Sequence, residues 1–388
     1  MKHWRLLSMV AALAACAPLP PVAQDERLFN DHLFAAPSEP VDVGEVFALS
    51  EPMRRYLDEA IAEPARRKGR QVALVDALYT KSQLKLEYDS AWTRNAAQAF
   101  AARSGNCLSL VIMTAAFAKE LGLAVEYQQV YVDDAIGRDG DVYMAIGHVN
   151  LVLGKRKTDE GGFGHRVGKR PAESEGMVID FLPPADMRAM RTRPLDEATV
   201  VAMFMNNRAV EALARGRHDD AYWWARAGVA QAPSYLPAYN TLGAVYQRHG
   251  RPVEAERALA HVLAREPRNT MAMSNLVRVL NDQGRDEESR ALAASLQRLD
   301  PDPPFAWFIR GMAAMRSGDL DAAKQAFAQE VARAPDYHEF HYWLGIVHMA
   351  LGENEDARRE LAIALKHSTT RRDHDLYAAK LDRLRQPR

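Results

Sequence analysis

Residues 236–267 read LPAYNTLGAVYQRHGRPVEAERALAHVLAREP, and two of them divide the stretch into helices. Gly250 supplies the left-handed backbone that ends a first helix. Pro267 follows a second helix, which it cannot continue. The same classes recur outward at a spacing of 34: Gly216, Gly250, Gly284, Gly318 and Gly352, then Pro233, Pro267, Pro301 and Pro335. A small residue stands five positions after each glycine, at Ala221, Ala255, Ser289, Ala323 and Ala357, where it lets the two helices of a hairpin approach closely. Three residue classes in one 34-residue phase mark five stacked helical hairpins over residues 202–371. Beyond them, Leu376, Tyr377, Ala379, Leu381 and Leu384 keep near-helical spacing, so residues 372–388 read as a polar-faced capping helix.

Tyr239, Leu242, Gly243, Tyr246, Ala255 and Pro267 occupy consensus-like places in the second hairpin. Trp307, Gly311 and Phe327 do so in the fourth, and Leu344 and Gly345 in the fifth. Over 202–371 the chain resembles the tetratricopeptide family. That resemblance implies an all-α solenoid whose groove holds a protein or peptide partner. The aromatics Trp223, Trp224, Tyr342 and Trp343 read mainly as packing residues, some of them left for the groove. Lys plus Arg (50) nearly balances Asp plus Glu (51), so no basic excess points to nucleic acid.

Residues 41–200 lack the 34-residue period. Segments 53–62, 70–79 and 91–102 look helical, and Cys107 to Leu121 is helical and apolar nearly all round, which places it in a core. Strand candidates rich in β-branched and aromatic residues follow at 124–132, 143–153 and 177–181, the last closed by Pro183-Pro184. Between the first two lies DDAIGRDGD, with Asp133, Asp134, Asp139 and Asp141, whose spacing fits no EF-hand and which reads as a solvated loop. A Gly-rich excursion spans 154–176 and contains His165, which has no fixed geometry as a competing base. Helices, a buried helix, then strands give an α+β domain.

Cys107 opens the buried helix after Gly105-Asn106, where the positive end of the helix dipole favours a thiolate. His148 sits in the strand AIGHVNL with its face shared by position 150, and Asp180 lies inside the apolar strand VIDF, where an acid needs a partner. If the two strands are neighbours, Asp180 can accept from the His148 ring and leave the other ring nitrogen facing Cys107. The words Gly105-Asn106-Cys107, Gly147-His148 and Asp180-Phe181, in that order, resemble the transglutaminase-like branch of the papain-type thiol fold over about 80–185. Asn106 stands where that family usually has Asp, and Tyr88 matches its short segment before the cysteine helix. The resemblance implies Cys107 as nucleophile, His148 as base then acid, Asp180 as orienter, and no cofactor or metal. It implies hydrolysis of an amide or transfer to an amine, and assigns no oxyanion donor beyond the Cys107 N–H.

The N-terminus carries Lys2 and Arg5, an apolar run from Leu6 to Ala15 too short to span a bilayer, then small residues, which reads as a signal over 1–15. Leu13-Ala14-Ala15-Cys16 resembles the lipobox of bacterial lipoproteins, which implies acylation of Cys16, an anchor in the cell envelope and, with Ala17 next, an outer membrane facing the periplasm. Pro18, Pro20, Pro21, Pro37 and Pro40 make residues 16–40 read as a semi-rigid tether. Two function classes follow: a lipid-anchored thiol enzyme with a protein-binding array, or a non-catalytic adaptor whose repeats do the work.

Overall fold

The computed structural model describes residues 26–79, 84, 86–131, 136–139, 142–145, 148–154, 176–181 and 191–385. The signal segment, Cys16, Asp133, Asp134, Asp141, Gly147, His165 and Pro183-Pro184 lie outside the described residues.

Helix α1 (Glu51–Tyr56) runs through a π-helical segment (Leu57–Ala62) into α2 (Glu63–Lys68). Pro64 has no N–H to offer the carbonyl of Ala60, and the hydrogen-bond ladder widens just there. Then come α3 (Arg70–Tyr79), β1 (Glu87–Tyr88), α4 (Ala96–Ala102), β2 (Ser104–Gly105) and α5 (Cys107–Glu120). Strands β3 (Val125–Tyr131), β4 (Ile136–Asp139), β5 (Val142–Ala145), β6 (His148–Leu153), β7 (Met177–Ile179) and β8 (Arg191–Leu195) follow. The main sheet has the order β7-β6-β3-β8, antiparallel throughout. Helix α5 packs against it, sharing one core with Val149, Leu151 and Leu153 of β6. This is the expected α+β order.

Two expectations change in detail. Half of DDAIGRDGD is not loop, because Ile136–Asp139 pairs with Val142–Ala145 as a β-hairpin. The strand expected over 143–153 is accordingly two strands, β5 and β6. The boundary expected at residue 200 falls inside a helix, since α6 (Glu197–Ala214) starts at an N-cap, Asp196, whose side chain accepts from Thr199 N at 2.7 Å.

Helix α6 pairs with α7 (His218–Gln231), α8 (Leu236–Arg248) with α9 (Pro252–Arg265), and α10 (Thr270–Asp282) with α11 (Asp286–Leu299). Two more hairpins, α12 (Ala306–Ser317) with α13 (Leu320–Arg333) and α14 (His338–Leu351) with α15 (Asn354–His367), precede the cap α16 (Arg371–Arg385). The five periodic glycines all have φ between 71° and 80°, the left-handed conformation that ends each first helix. A second periodic glycine works by space instead. A Cβ on Gly243 would lie 2.8 Å from Leu259 Cγ, and one on Gly311 would lie 2.7 Å from the Phe327 ring. These glycines let paired helices touch.

The stack is not one continuous core. The first three hairpins share a core with the α+β domain, running from Leu28 to Val279. Hairpins four and five have their own, from Phe305 to Val347. Between them lies Pro301-Asp302-Pro303-Pro304, followed by Phe305 at φ 65°. Proline-rich sequence there supplies no helix to bridge the two clusters.

The expected tether is corrected for residues 26–40, which are docked on the first two hairpins. Phe34 is buried and stacks on Tyr222 at 3.9 Å between centroids, with His249 on its ring as well. Asn30 N–H donates to Tyr222 Oη at 3.0 Å, and Ser38 N–H donates to Asp220 Oδ1 at 2.6 Å. Trp223 Nε1 donates to Ala35 O at 2.7 Å, and Arg208 pairs with Glu39 at 2.6 Å. Proline content favoured an extended conformation, and an extended chain is also what a strap across helices requires.

Candidate active site

Asn106 caps α5, its Oδ1 accepting from Ser109 N at 2.9 Å and from Ser109 Oγ at 2.8 Å. Its amide also donates to Thr93 Oγ1 at 2.9 Å, which an aspartate could not do. The departure from Asp therefore keeps the cap and adds a tie to the preceding loop. Gly105 is required by space: a Cβ there would lie 2.7 Å from Ser109 Cβ. Cap and glycine together set Cys107 at the first position of the helix, 8% exposed.

Strands β6 and β7 pair in the register Leu151↔Ile179, which brings Asp180 alongside the start of β6. His148 Nε2 donates to Asp180 Oδ1 at 2.6 Å, and both side chains are almost fully buried. The Cys107 side chain lies close enough to the His148 ring to act on its titration. The structure thus brings Cys107 beside the hydrogen-bonded pair His148 and Asp180. Burial by itself would lower the His148 pKa, but the hydrogen bond to Asp180, the neighbouring Cys107 and the charge of both raise it to about 9. The imidazolium is held in the form that a thiolate partner favours.

Two further residues belong to the site. Asn150 Nδ2 donates to the second Asp180 oxygen at 2.8 Å, fixing the carboxylate, while Asn150 Oδ1 is buried with no hydrogen-bond partner among the described residues. The signal for it was in the sequence, because position 150 shares the strand face of 148. Tyr88 comes in through β1, which pairs in parallel with β2 in the register Tyr88↔Gly105. Its hydroxyl lies near Cys107. Burial of that hydroxyl, then the nearby Cys107 and Asp89 charges, push the phenol above its usual range.

The loop after Tyr88 is gripped by both ends of the repeat array. Ser90 N–H donates to Thr369 O at 2.9 Å, at the turn before α16. Trp92 lies beneath the guanidinium of Arg215, the C-cap of α6, at 3.2 Å, and Thr93 N–H donates to Glu211 Oε1 on α6 at 2.6 Å. Among the described residues, His348, Glu353 and Asp356 stand close enough to share a cation, but Glu353 already pairs with Lys324 at 2.8 Å. They lie on the fifth hairpin and have no part in the Cys107 site.

Models of the tetratricopeptide repeat match residues 246–307 and 310–370. The C-terminal region carries tetratricopeptide repeats. The chain is 32% identical over 137 residues to a TPR repeat-containing protein of Pseudomonas aeruginosa, covering 35% of this chain and 23% of that protein. It is 23% identical over 140 residues to protein FlbA of Caulobacter vibrioides, covering 36% and 24%. The chain therefore spans about a quarter of the length of these curated relatives. A thermophilic TPR protein of Thermus thermophilus superposes with a TM-score of 0.32 at 20% identity, over 46% of this chain and 98% of that one.

The site predicts a pH dependence. A folded pKa raised from 6.5 to about 9 contributes stability that is complete below 6.5 and lost as pH rises through 9. Asp180→Asn removes the carboxylate charge and leaves burial less opposed, so the His148 pKa falls by at least about one unit, equivalent to about 1.4 kcal/mol. The stability gap between wild type and Asp180→Asn is then widest just below 6.5 and closes towards 9. NMR titration of His148 with parallel denaturation curves checks this. A wild-type His148 that titrates at or below 6.5 contradicts it.

Proposed function

We propose that this chain is a membrane-anchored, cysteine-dependent acyl-transfer enzyme acting on a protein or peptide that its repeat array binds. The observation that carries the reading is the hydrogen-bonded pair His148–Asp180 set beside Cys107, which opens a buried helix. It has the three parts of a triad: a nucleophile, a base within reach of it, and a third group that orients the base.

In the proposed cycle the Cys107 thiol proton rests on His148, and the thiolate attacks the carbonyl carbon of an amide. The tetrahedral intermediate collapses to a thioester as the C–N bond breaks, and the leaving amine takes its proton from His148. Water then attacks the thioester, His148 removes its proton, and the acid leaves as the thiolate re-forms. An amine in place of water gives a new amide, so the same residues serve a peptidase or amidase and a transglutaminase-type transferase. Asp180 stays ionised and holds the Nε2–H throughout. Hydrolysis is the simpler outcome, since it needs no second substrate beyond water.

The array supports protein or peptide binding, the role tetratricopeptide repeats serve. The signal-like N-terminus and Leu13-Ala14-Ala15-Cys16 support a lipid anchor at Cys16 in a bacterial envelope, on our reading the outer membrane facing the periplasm. Because residues 26–40 are docked on the array, only the ten peptide units from Cys16 to Glu26 separate the anchor from the folded protein. Covalent geometry limits that reach to about 35 Å. The adaptor reading is compatible with the array and leaves the Cys107, His148 and Asp180 grouping without a use.

The test is acylation by an activated ester, p-nitrophenyl acetate, followed by intact mass and p-nitrophenolate release. Wild type forms an acetyl-enzyme on Cys107, Cys107→Ala forms none, and His148→Ala forms it at least about a thousandfold more slowly. A folded wild type that never acylates moves the reading to the adaptor. Metabolic labelling with an acyl analogue tests the anchor: wild type takes the label and Cys16→Ser does not. Equal labelling of the two would sink it.

A further inference from the structure

The face of β6 that carries His148 also carries Asn150, and the two side chains divide one carboxylate between them. His148 Nε2 donates to Asp180 Oδ1 at 2.6 Å, and Asn150 Nδ2 donates to Asp180 Oδ2 at 2.8 Å. An ionised carboxylate only accepts, so the amide turns its NH2 towards it, which sends the carbonyl oxygen elsewhere. There Asn150 Oδ1 meets no donor among the described residues, although the whole residue is 4% exposed. A buried acceptor left without a donor costs free energy that an apolar side chain would not. The next residue along the same face, Val152, is apolar and fully buried, so the fold does not demand a polar group on this face.

We infer that Asn150 is a positioning residue of the thiol site: its amide holds the Asp180 carboxylate ionised and in the plane that orients the His148 ring. The inference rests on the thiol-enzyme reading. The Asp180 side chain is 1% exposed, so its charge is stabilised by donors within the protein and not by bulk water. Held through one oxygen, a carboxylate swings about its Cβ–Cγ bond, and the imidazole bonded to it swings as well. Held through both, it is fixed in its plane, and the ring nitrogen remote from Asp180 keeps one direction. An amide suits the place because it is neutral. It favours the anion over the acid, whereas a cation there would offset the negative charge that stabilises the imidazolium. Asn150 acts through Asp180 and transfers no proton.

The sheet makes this placement rigid. Strand β6 pairs with β3 in the register Gln128↔Asn150 and with β7 in the register Leu151↔Ile179. Continued by one residue, the second register sets Asp180 opposite Asn150. Opposed residues of an antiparallel pair stand on one face with their Cβ atoms about 5 Å apart, a gap that an amide and a carboxylate close together. Asn150 lies on an interior strand between two ladders, whereas Asp180 comes just after β7, the edge strand. The asparagine therefore ties the end of an edge strand to the fixed middle of the sheet.

Two substitutions in the full chain separate this role from a structural one. Asn150→Leu removes the donor at similar volume. It should slow acylation of Cys107 by p-nitrophenyl acetate by about tenfold or more, the worth of a hydrogen bond to a charged group. It should also move the proton resonance of His148 Nε2–H, which a short bond to a carboxylate draws downfield, back upfield. Asn150→Asp keeps the shape and reads the role through pH. Around position 150 the titratable groups among the described residues are Asp180, His148, Cys107 beyond the imidazole, and Glu126, which stands opposite Val152 on β3. Two carboxyls in one buried place resist ionising together, and the His148 cation keeps the charge on Asp180. The introduced carboxyl then holds the shared proton and donates it to Asp180 as the amide does. Acylation by Asn150→Asp should therefore stay close to wild type at the acid end of the profile. It should fall about tenfold or more below wild type as rising pH removes that proton. An unchanged rate and resonance in Asn150→Leu, or a ratio of Asn150→Asp to wild type that is flat with pH, overturns the inference. A wild type that never acylates removes the enzyme reading, and the His148 resonance then decides by itself whether Asn150 positions the ring.

Discussion

Twelve consecutive residues of α5, Cys107 to Ala118, are closed off from solvent, and a helix with no polar face needs neighbours on every side. The sheet supplies one through Val149, Leu151 and Leu153, α3 and α4 supply others, and the same core runs on into the first repeat hairpins. That burial fixes where the helix begins, and the beginning carries the sulfur. It also makes the polar groups at that end costly unless satisfied, which is why Asn106, Ser109, Thr93 and Arg94 form a closed set of hydrogen bonds around it.

Burial shapes the electrostatics as well. A histidine as enclosed as His148 would stay neutral if only desolvation acted on it. Asp180, itself held by Asn150, reverses that sign. A carboxylate and an imidazolium together are tolerable in a core where either alone would not be. The arrangement depends on β6 and β7 being neighbours in register, so the site is a property of the sheet rather than of a loop.

How much of this could be read from residues alone varies with the range of the interaction. The hairpins were legible because each repeats the same local chemistry: a left-handed glycine, a small residue and a stopping proline at fixed offsets. Cys107, His148 and Asp180 were legible because each sits in a short word with its own backbone reason. The strap was not, because Phe34 stacking on Tyr222 joins segments 188 residues apart and only the proline content was visible locally. Nor was the division of the array into two cores, since Gly284, Pro301 and Gly318 keep the period across it. The pairing of Tyr88 with Gly105 was not either, because a two-residue parallel ladder leaves no pattern in composition.

Besides the shared core, the loop 89–94 ties the α+β domain to both ends of the array, at α6 and at Thr369. The worth of the proposed enzyme reading depends on whether the Cys107 sulfur is activated. The most direct measurement is the rate at which iodoacetamide alkylates Cys107 in the folded full chain at neutral pH, read by peptide mass spectrometry, for wild type and His148→Ala. The account predicts a wild-type rate at least about tenfold above that of His148→Ala, because the cation that stabilises the thiolate is gone in the variant. An inert Cys107, or equal rates in the two proteins, would contradict it.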